Sequence, residues 1–328
     1  MTNIEPFLKK VRRSIDAHRT SSLGGYSSQK ISESLEADLY GTADAVILLY
    51  TIGELPQSGS REHEGLVKTL QGLQQPDDGL FIADSHHPVH RTAYAVAALE
   101  LLESKPCHPL SGLHSVLSRE GIQDWMESLD WAQQPWRESH KGAGIYAAMV
   151  LAGEVDEEWE QWYFAWLDQE ADPETGLWRK GSIHNGAPLF HHLASSFHYL
   201  FNLNYRKRPM RYPNQWIDTC LAMHDDGQIP LKADALGFVE LDVLYTLISA
   251  AEQTQHRANE LDAMIKAIGS HLLSSITALA EGPEDALIED MHSLCGTVCA
   301  LALVQSVMPE QVNANIVLQK ILDRRPFI

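Results

Sequence analysis

Six short runs of small and apolar residues punctuate the chain: TADAVILLY, TAYAVAALELL, GAGIYAAMVL, HLASSFHYLF, LDVLYTLISAA and SLCGTVCALAL. At or beside their heads stand Thr42, Thr92, Gly142, His192, Asp242 and His292, spaced 50 residues apart. Each run is apolar on nearly every side and most are rich in Ala, which suits a helix buried among neighbours better than a strand. Between the runs lie amphipathic stretches with one charged face, at 61–75, about 115–131, 155–171, 213–224 and 258–280. In EEWEQWYFAWL, for example, Trp159, Trp162, Tyr163 and Trp166 follow helical spacing. Residues 5–18 supply one more such helix before the first run, and 309–325 are predicted as a further helix after the last.

The pattern predicts an all-α chain of six hairpins, each pairing an amphipathic helix with a buried one. Turns built on Asp-Gly and related sequences, QQPDDGLF, DPETGLW and HDDGQIP, stop and reverse the chain where glycine alone tolerates positive φ without penalty. No sustained period-two alternation reads as a strand, and the single Asn-Gly, Asn185–Gly186, is assigned to a loop. A regular period over the whole length favours one repetitive domain, residues 1–328, over two independent ones. The sixth run is as apolar as the middle ones, whereas an open solenoid would end in a polar cap. The expected architecture is therefore an (α/α)6 toroid around one polar cavity.

Charge narrows the partners. A net charge of −19 argues against nucleic acid and anionic membrane surfaces. The first residues are polar and basic, without an apolar core of secretory length, so a soluble, cytoplasmic protein is expected. The four cysteines, Cys107, Cys220, Cys295 and Cys299, are too few for a disulfide scaffold and read as reduced core residues. Phosphate-binding glycine loops, a GxSxG elbow, HExxH and CxxC are missing, and no cofactor or metal is expected.

The DDGLF and ETGLW turns, with the small-residue helices that follow them, resemble those of the α/α-toroid enzymes. QQPDDGLF followed by HRTAYAVAALELL is similar to the repeat of protein prenyltransferase β subunits and terpenoid cyclases. DPETGLW is similar to a turn in six-hairpin glycosidases, notably the unsaturated glucuronyl and rhamnogalacturonyl hydrolases. The prenyltransferase resemblance implies a zinc site carried by Asp242 and His292, but Leu244 stands where that family has its cysteine thiolate. The acidic motifs of the cyclases, DxDD and DDxxD, do not occur.

In a toroid the starts of the buried helices meet at one mouth, which gathers Asp38, Tyr40, Asp44, His90, Arg91, Tyr94 and their counterparts in the later repeats. Asp38, Glu240 and Asp290 read equally as helix caps. Asp44 and Asp242 sit among apolar neighbours, where an unpaired carboxylate is costly, so a cavity role is favoured. A lone helical histidine is more often structural, yet the recurrence of His90, His191, His192 and His292 points to proton transfer. The catalytic set is expected to be Asp242 and His292 as neighbours, with His192 and Asp44. Arg91, His90, His191, Tyr94, Tyr146, Glu240 and Tyr245 are expected to bind substrate, although tyrosines at helical spacing are commonly core packing. These groups suit an enzyme acting on a sugar or oligosaccharide, as hydrolase, lyase or epimerase. The alternatives are an isoprenoid enzyme of the prenyltransferase or cyclase type and a non-catalytic toroid that binds a protein partner.

Overall fold

The computed structural model describes residues 1–29, 36–184, 186–283 and 290–328. Among these residues lie twelve α-helices: α1 (Glu5–Ala17), α2 (Leu39–Thr51), α3 (Arg61–Gly72), α4 (Pro88–Leu101), α5 (Arg119–Glu127), α6 (Pro135–Ala152), α7 (Glu157–Glu170), α8 (Leu189–Tyr205), α9 (Pro213–Asp225), α10 (Val239–Ala251), α11 (Ala258–Glu281) and α12 (Met291–Val307). Among the described residues the fold is all-α apart from one short parallel pair, β1 (Thr2–Asn3) with β2 (Val312–Asn313). The even-numbered helices coincide with the six apolar runs and the odd-numbered ones with the amphipathic stretches.

Burial follows the sequence pattern. In α12 every residue from Leu294 to Val304 is buried, and in α4 every residue from Thr92 to Leu99. In α3 only one face is buried, at His63, Gly65, Leu66 and Leu70. Starts are fixed by side-chain caps from Asp38, Ser60, Ser118, Asp156 and Asp290, each accepting a backbone N–H of the first turn. Asp38 and Asp290 are thus caps, the plainer of their two readings.

α2 packs on α4, α4 on α6, α6 on α8, α8 on α10, α10 on α12, and α12 on α2. The odd-numbered helices lean on these: α1 on α2 and α12, α3 on α2 and α4, α9 on α10, and α11 on α10 and α12. α11 is long and apolar enough to cross a membrane by length and composition alone. It is nevertheless amphipathic, with Leu261, Met264, Ile268 and Leu272 buried while Asp262 and Lys266 pair at 2.7 Å on its exposed face.

One turn recurs with its chemistry intact. Gly24, Gly79 and Gly176 adopt φ of 75°, 73° and 79°. Shortly after each comes a buried aromatic residue, Tyr26, Phe81 or Trp178. The backbone N–H of that residue donates to a hydroxyl on the next even-numbered helix, to Thr42 at 3.3 Å, Thr92 at 3.3 Å and Ser196 at 2.9 Å. These turns also forbid a side chain for steric reasons: a Cβ on Gly79 would lie 1.9 Å from the Pro109 carbonyl oxygen, and one on Gly176 would lie 2.1 Å from Trp216 Cδ1. Gln74, buried beside the Gly79 turn, donates to the Gly79 and His108 carbonyls and accepts from the Cys107 and His108 N–H groups.

The recurrence also shows where the 50-residue count fails. Ser196, and not His192, occupies in α8 the place of Thr42 and Thr92, so the register there is four residues, about one helical turn, later than the count predicts. Two further expectations are corrected. Residues 309–325 form no α-helix: Pro309–Gln311 and Ile321–Asp323 are single 3-10 turns, and Val312 pairs as a strand with Thr2. The Asn-rich stretch between those turns competes poorly for helix. Cys107 is exposed, whereas Cys220, Cys295 and Cys299 are buried, and all four are free thiols. Asn185 lies outside the described residues.

Candidate functional site

Three even-numbered helices converge on one carboxylate. Asp44 of α2 is fully buried, and its Oδ1 accepts from Tyr94 Oη of α4 at 2.5 Å and from His292 Nδ1 of α12 at 3.1 Å. The Cys295 thiol donates to the Asp44 carbonyl at 3.4 Å, while the other carboxylate oxygen, Oδ2, has no partner among the described residues. Burial works to lower the His292 pKa, but the charge and hydrogen bond of Asp44 outweigh it and hold the imidazole above its ordinary value. Tyr94 moves upward, through burial and then the Asp44 charge, and so stays a phenol that donates.

Around this pair lies a chain of imidazoles. His86 stacks on His90 with centroids 4.6 Å apart, His90 lies 4.8 Å from His140, and His140 lies 4.9 Å from His198. His86 reaches His292 at 6.4 Å from an exposed loop position at φ 63°. His90 Nδ1 is bonded to Tyr40 Oη at 2.8 Å, and His198 Nδ1 to Ser139 Oγ at 2.9 Å. Burial, followed by repulsion from neighbouring imidazoles, lowers all four: His90 and His198 fall well below the ordinary value, His86 falls, and His140 drops to about 3. The site therefore sets one histidine whose protonated form is favoured by a carboxylate among imidazoles whose neutral form is favoured. Among the described residues no three or more His, Cys, Asp or Glu are arranged to hold a metal ion.

Of the expected site residues, Asp44, His292, His90 and Tyr94 are brought together and the rest are not. The expected pairing of Asp242 with His292 is replaced by Asp44 with His292, because α12 closes against α2 at that level and His292 meets α10 through the Phe238 ring at 5.1 Å. Asp242 is buried elsewhere, with no partner to Oδ2 among the described residues, and burial plus the Glu240 charge pushes its carboxyl far upward. His192, one turn out of phase, lies toward the Trp178 backbone without a hydrogen bond of ordinary geometry to either ring nitrogen, and burial lowers it to about 4. His191 packs on Trp136 at 5.6 Å. Tyr146 turns to α7 and donates to Glu160 at 2.7 Å, and Glu240 faces His271 of α11 at 3.5 Å. Tyr245 accepts from Asn204 at 2.9 Å, and Arg91 donates to the Ala83 carbonyl.

Sequence reasoning missed the residues at 325–328. Phe327 is fully buried, with its ring 5.4 Å from His90, 6.3 Å from Tyr94 and 5.9 Å from Phe201, and its Cε2 would meet a Cβ on Gly144 at 3.4 Å. Arg325 is also fully buried, and burial lowers its guanidinium to about 10. The only sequence signal is an apolar pair behind two arginines, RRPFI, which fits no helix or turn template.

Two pH signatures follow. His292 is raised in the folded protein, so the stability its pairing gives is complete below the imidazole's ordinary pKa and fades as pH rises through the folded value. The difference in melting temperature between parent and His292→Gln should therefore shrink above about pH 6.5. A difference that widens with pH would show that no cation is held there. Asp242 is raised as well, so the parent should lose stability as pH climbs from about 4 toward the folded value, and Asp242→Asn should flatten that slope. Equal slopes in the two proteins would contradict the upward shift of the buried Asp242 carboxyl.

No family model, curated protein or solved structure matches the chain.

Proposed function

We propose that the even-numbered helices close into an (α/α)6 toroid ringed by the odd-numbered ones, forming one domain, and that the chain is a soluble, cytoplasmic enzyme acting on a sugar or oligosaccharide by acid–base chemistry. The contacts that return from α12 to α2, and the burial of the even-numbered helices on nearly every side, support the architecture. The single observation that carries the function is the Asp44–Tyr94–His292 cluster. A carboxylate that fixes Nδ1 of a raised histidine leaves Nε2 to deliver a proton to a substrate oxygen and to recover it in the next step. His292 keeps about a third of its side chain exposed, 35%, so that nitrogen is reachable. Neutral imidazoles alongside suit the donor and acceptor pattern of hydroxyl groups. Hydrolysis, elimination and epimerisation all use such a pair.

The test is thermal stabilisation and turnover with a panel of mono- and oligosaccharides, unsaturated uronides included, against prenyl diphosphates. Stabilisation by a sugar, with turnover lowered by about 10²–10⁴ in His292→Gln, is the expected result. Stabilisation by a prenyl diphosphate instead would favour the isoprenoid reading, which the histidine lining and Leu244 speak against. A second reading has its own support: the buried Phe327 and the mutual bonding of the site's polar groups suit a non-catalytic toroid that binds a protein partner. That reading predicts no response to any small molecule in the panel.

A further inference from the structure

Residues 325–328 lie among α4, α6, α8 and α12, and they reach the histidine site from its far side. The segment enters past the last turns of α2 and α4, where Arg324 Nε pairs with Glu100 at 3.2 Å and its guanidinium lies 6.0 Å from the centroid of the Tyr50 ring. It ends with Phe327 against His90 and Tyr94, beneath the Asp44 carboxylate. At its start, Arg325 has Nε and both terminal nitrogens buried with no hydrogen-bond partner among the described residues. A buried guanidinium without partners opposes the burial of the two apolar residues that follow it, so the segment holds its place by a narrow margin. At the entry end a pocket of about 490 Å³ opens beside Lys320, Leu322 and Asp323, between the last turns of α8, α10 and α12.

We infer that Arg325–Ile328 is a movable plug: in place it closes the floor of the histidine site, and when it withdraws toward the pocket beside Leu322 it opens the space between the even-numbered helices to a ligand. The inference rests on packing and on the orphaned guanidinium, and is independent of the acid–base reading. The plug's displacement returns Arg325 to water, which offsets the loss of apolar contact, and a ligand that fills the place of the Phe327 ring completes the exchange.

Cysteine labelling in the native protein tests it, because Cys295 and Cys299 line α12 beside the plug, Cys220 is buried on α9 away from it, and Cys107 is exposed. With N-ethylmaleimide under native conditions, Cys295 and Cys299 should label faster than Cys220, through local opening and not global unfolding. Phe327→Ala should speed both by about tenfold or more, with Cys220 unchanged. Arg325→Met removes the unpaired charge at similar volume, so it should raise the melting temperature and slow labelling of Cys295 and Cys299. Equal rates for Cys295, Cys299 and Cys220 in the parent would overturn the inference, as would a fall in melting temperature for Arg325→Met, since either would make the segment a fixed part of the core. Should Phe327→Ala fail to fold, the parent and Arg325→Met decide alone by the same criteria.

Discussion

Asp44→Ala is expected to destabilise the protein by about 2 to 4 kcal/mol, because it removes a fully buried carboxylate and strands the Tyr94 hydroxyl, while His292, about a third exposed, is partly compensated by water. The His292 cation would lose the charge that raises its pKa, and the Tyr94 hydroxyl, fully buried, would lose its acceptor. A buried hydroxyl left unsatisfied costs about 1–3 kcal/mol by itself. The loss should not be additive with His292→Gln. Once the cation is gone the carboxylate has less to offset, so the double variant should be more stable than the two single losses summed, by about 0.5–3 kcal/mol. Urea unfolding of the two single variants and the double variant measures this directly. A loss below about 1 kcal/mol for Asp44→Ala would mean that the pair behaves like an exposed ion pair, and the buried network would have to be abandoned.

Gly79→Ala is expected to be as severe, at about 3 kcal/mol or more, or to prevent folding. Two penalties act together there. The residue sits at φ 73°, where a side chain is strained, and its Cβ would lie 1.9 Å from the Pro109 carbonyl oxygen, whose neighbours Cys107 and His108 are bonded to Gln74. Gly227→Ala separates the terms: its φ is 66°, but nothing lies within 4 Å of the new Cβ. Strain alone acts at that position, with a cost of about 1–2 kcal/mol. Melting curves that put the two variants at equal stability would show that the backbone near Pro109 yields freely and that packing adds nothing to the turn.

Most of the helical layout was legible because it depends on short-range periodicity. The amphipathic stretches at 61–75, 155–171, 213–224 and 258–280 agree with α3, α7, α9 and α11 to within a few residues, and the six apolar runs fall inside the even-numbered helices. Part of the Asp44 cluster was legible for the same reason. Tyr40 with His90, and Asp44 with Tyr94, are bonded at a spacing of 50, the interval read from the runs. From α6 to α8 the bonded partners Ser139 with His198, and Ala143 with Asn202, are 59 apart. His192 was misplaced because the register of α8 slips by about one turn, which leaves a residue on nearly the same face but moves it about 6 Å along the axis, and Tyr146 lies well inside α6, where it turns to Glu160 of α7. The Asp44–His292 contact joins residues 248 apart, and no local pattern reveals which helix meets which across that distance. Segment 325–328 escaped because its place is set by three-dimensional packing and not by any period.

The pairing of Thr2–Asn3 with Val312–Asn313 has a kinetic meaning. Glu5 accepts from the Asn315 N–H at 2.7 Å across 310 residues, and α1 packs on α11 and α12. Contacts of such separation demand nearly the whole chain's loop-closure entropy and can form only once the intervening hairpins have compacted. The seam between the first and last helices is therefore expected to form late in folding. A polypeptide emerging from the ribosome would carry the flank of α2 that faces α12 unpartnered until α12 is made, so its exposure to chaperones follows from the order of its helices.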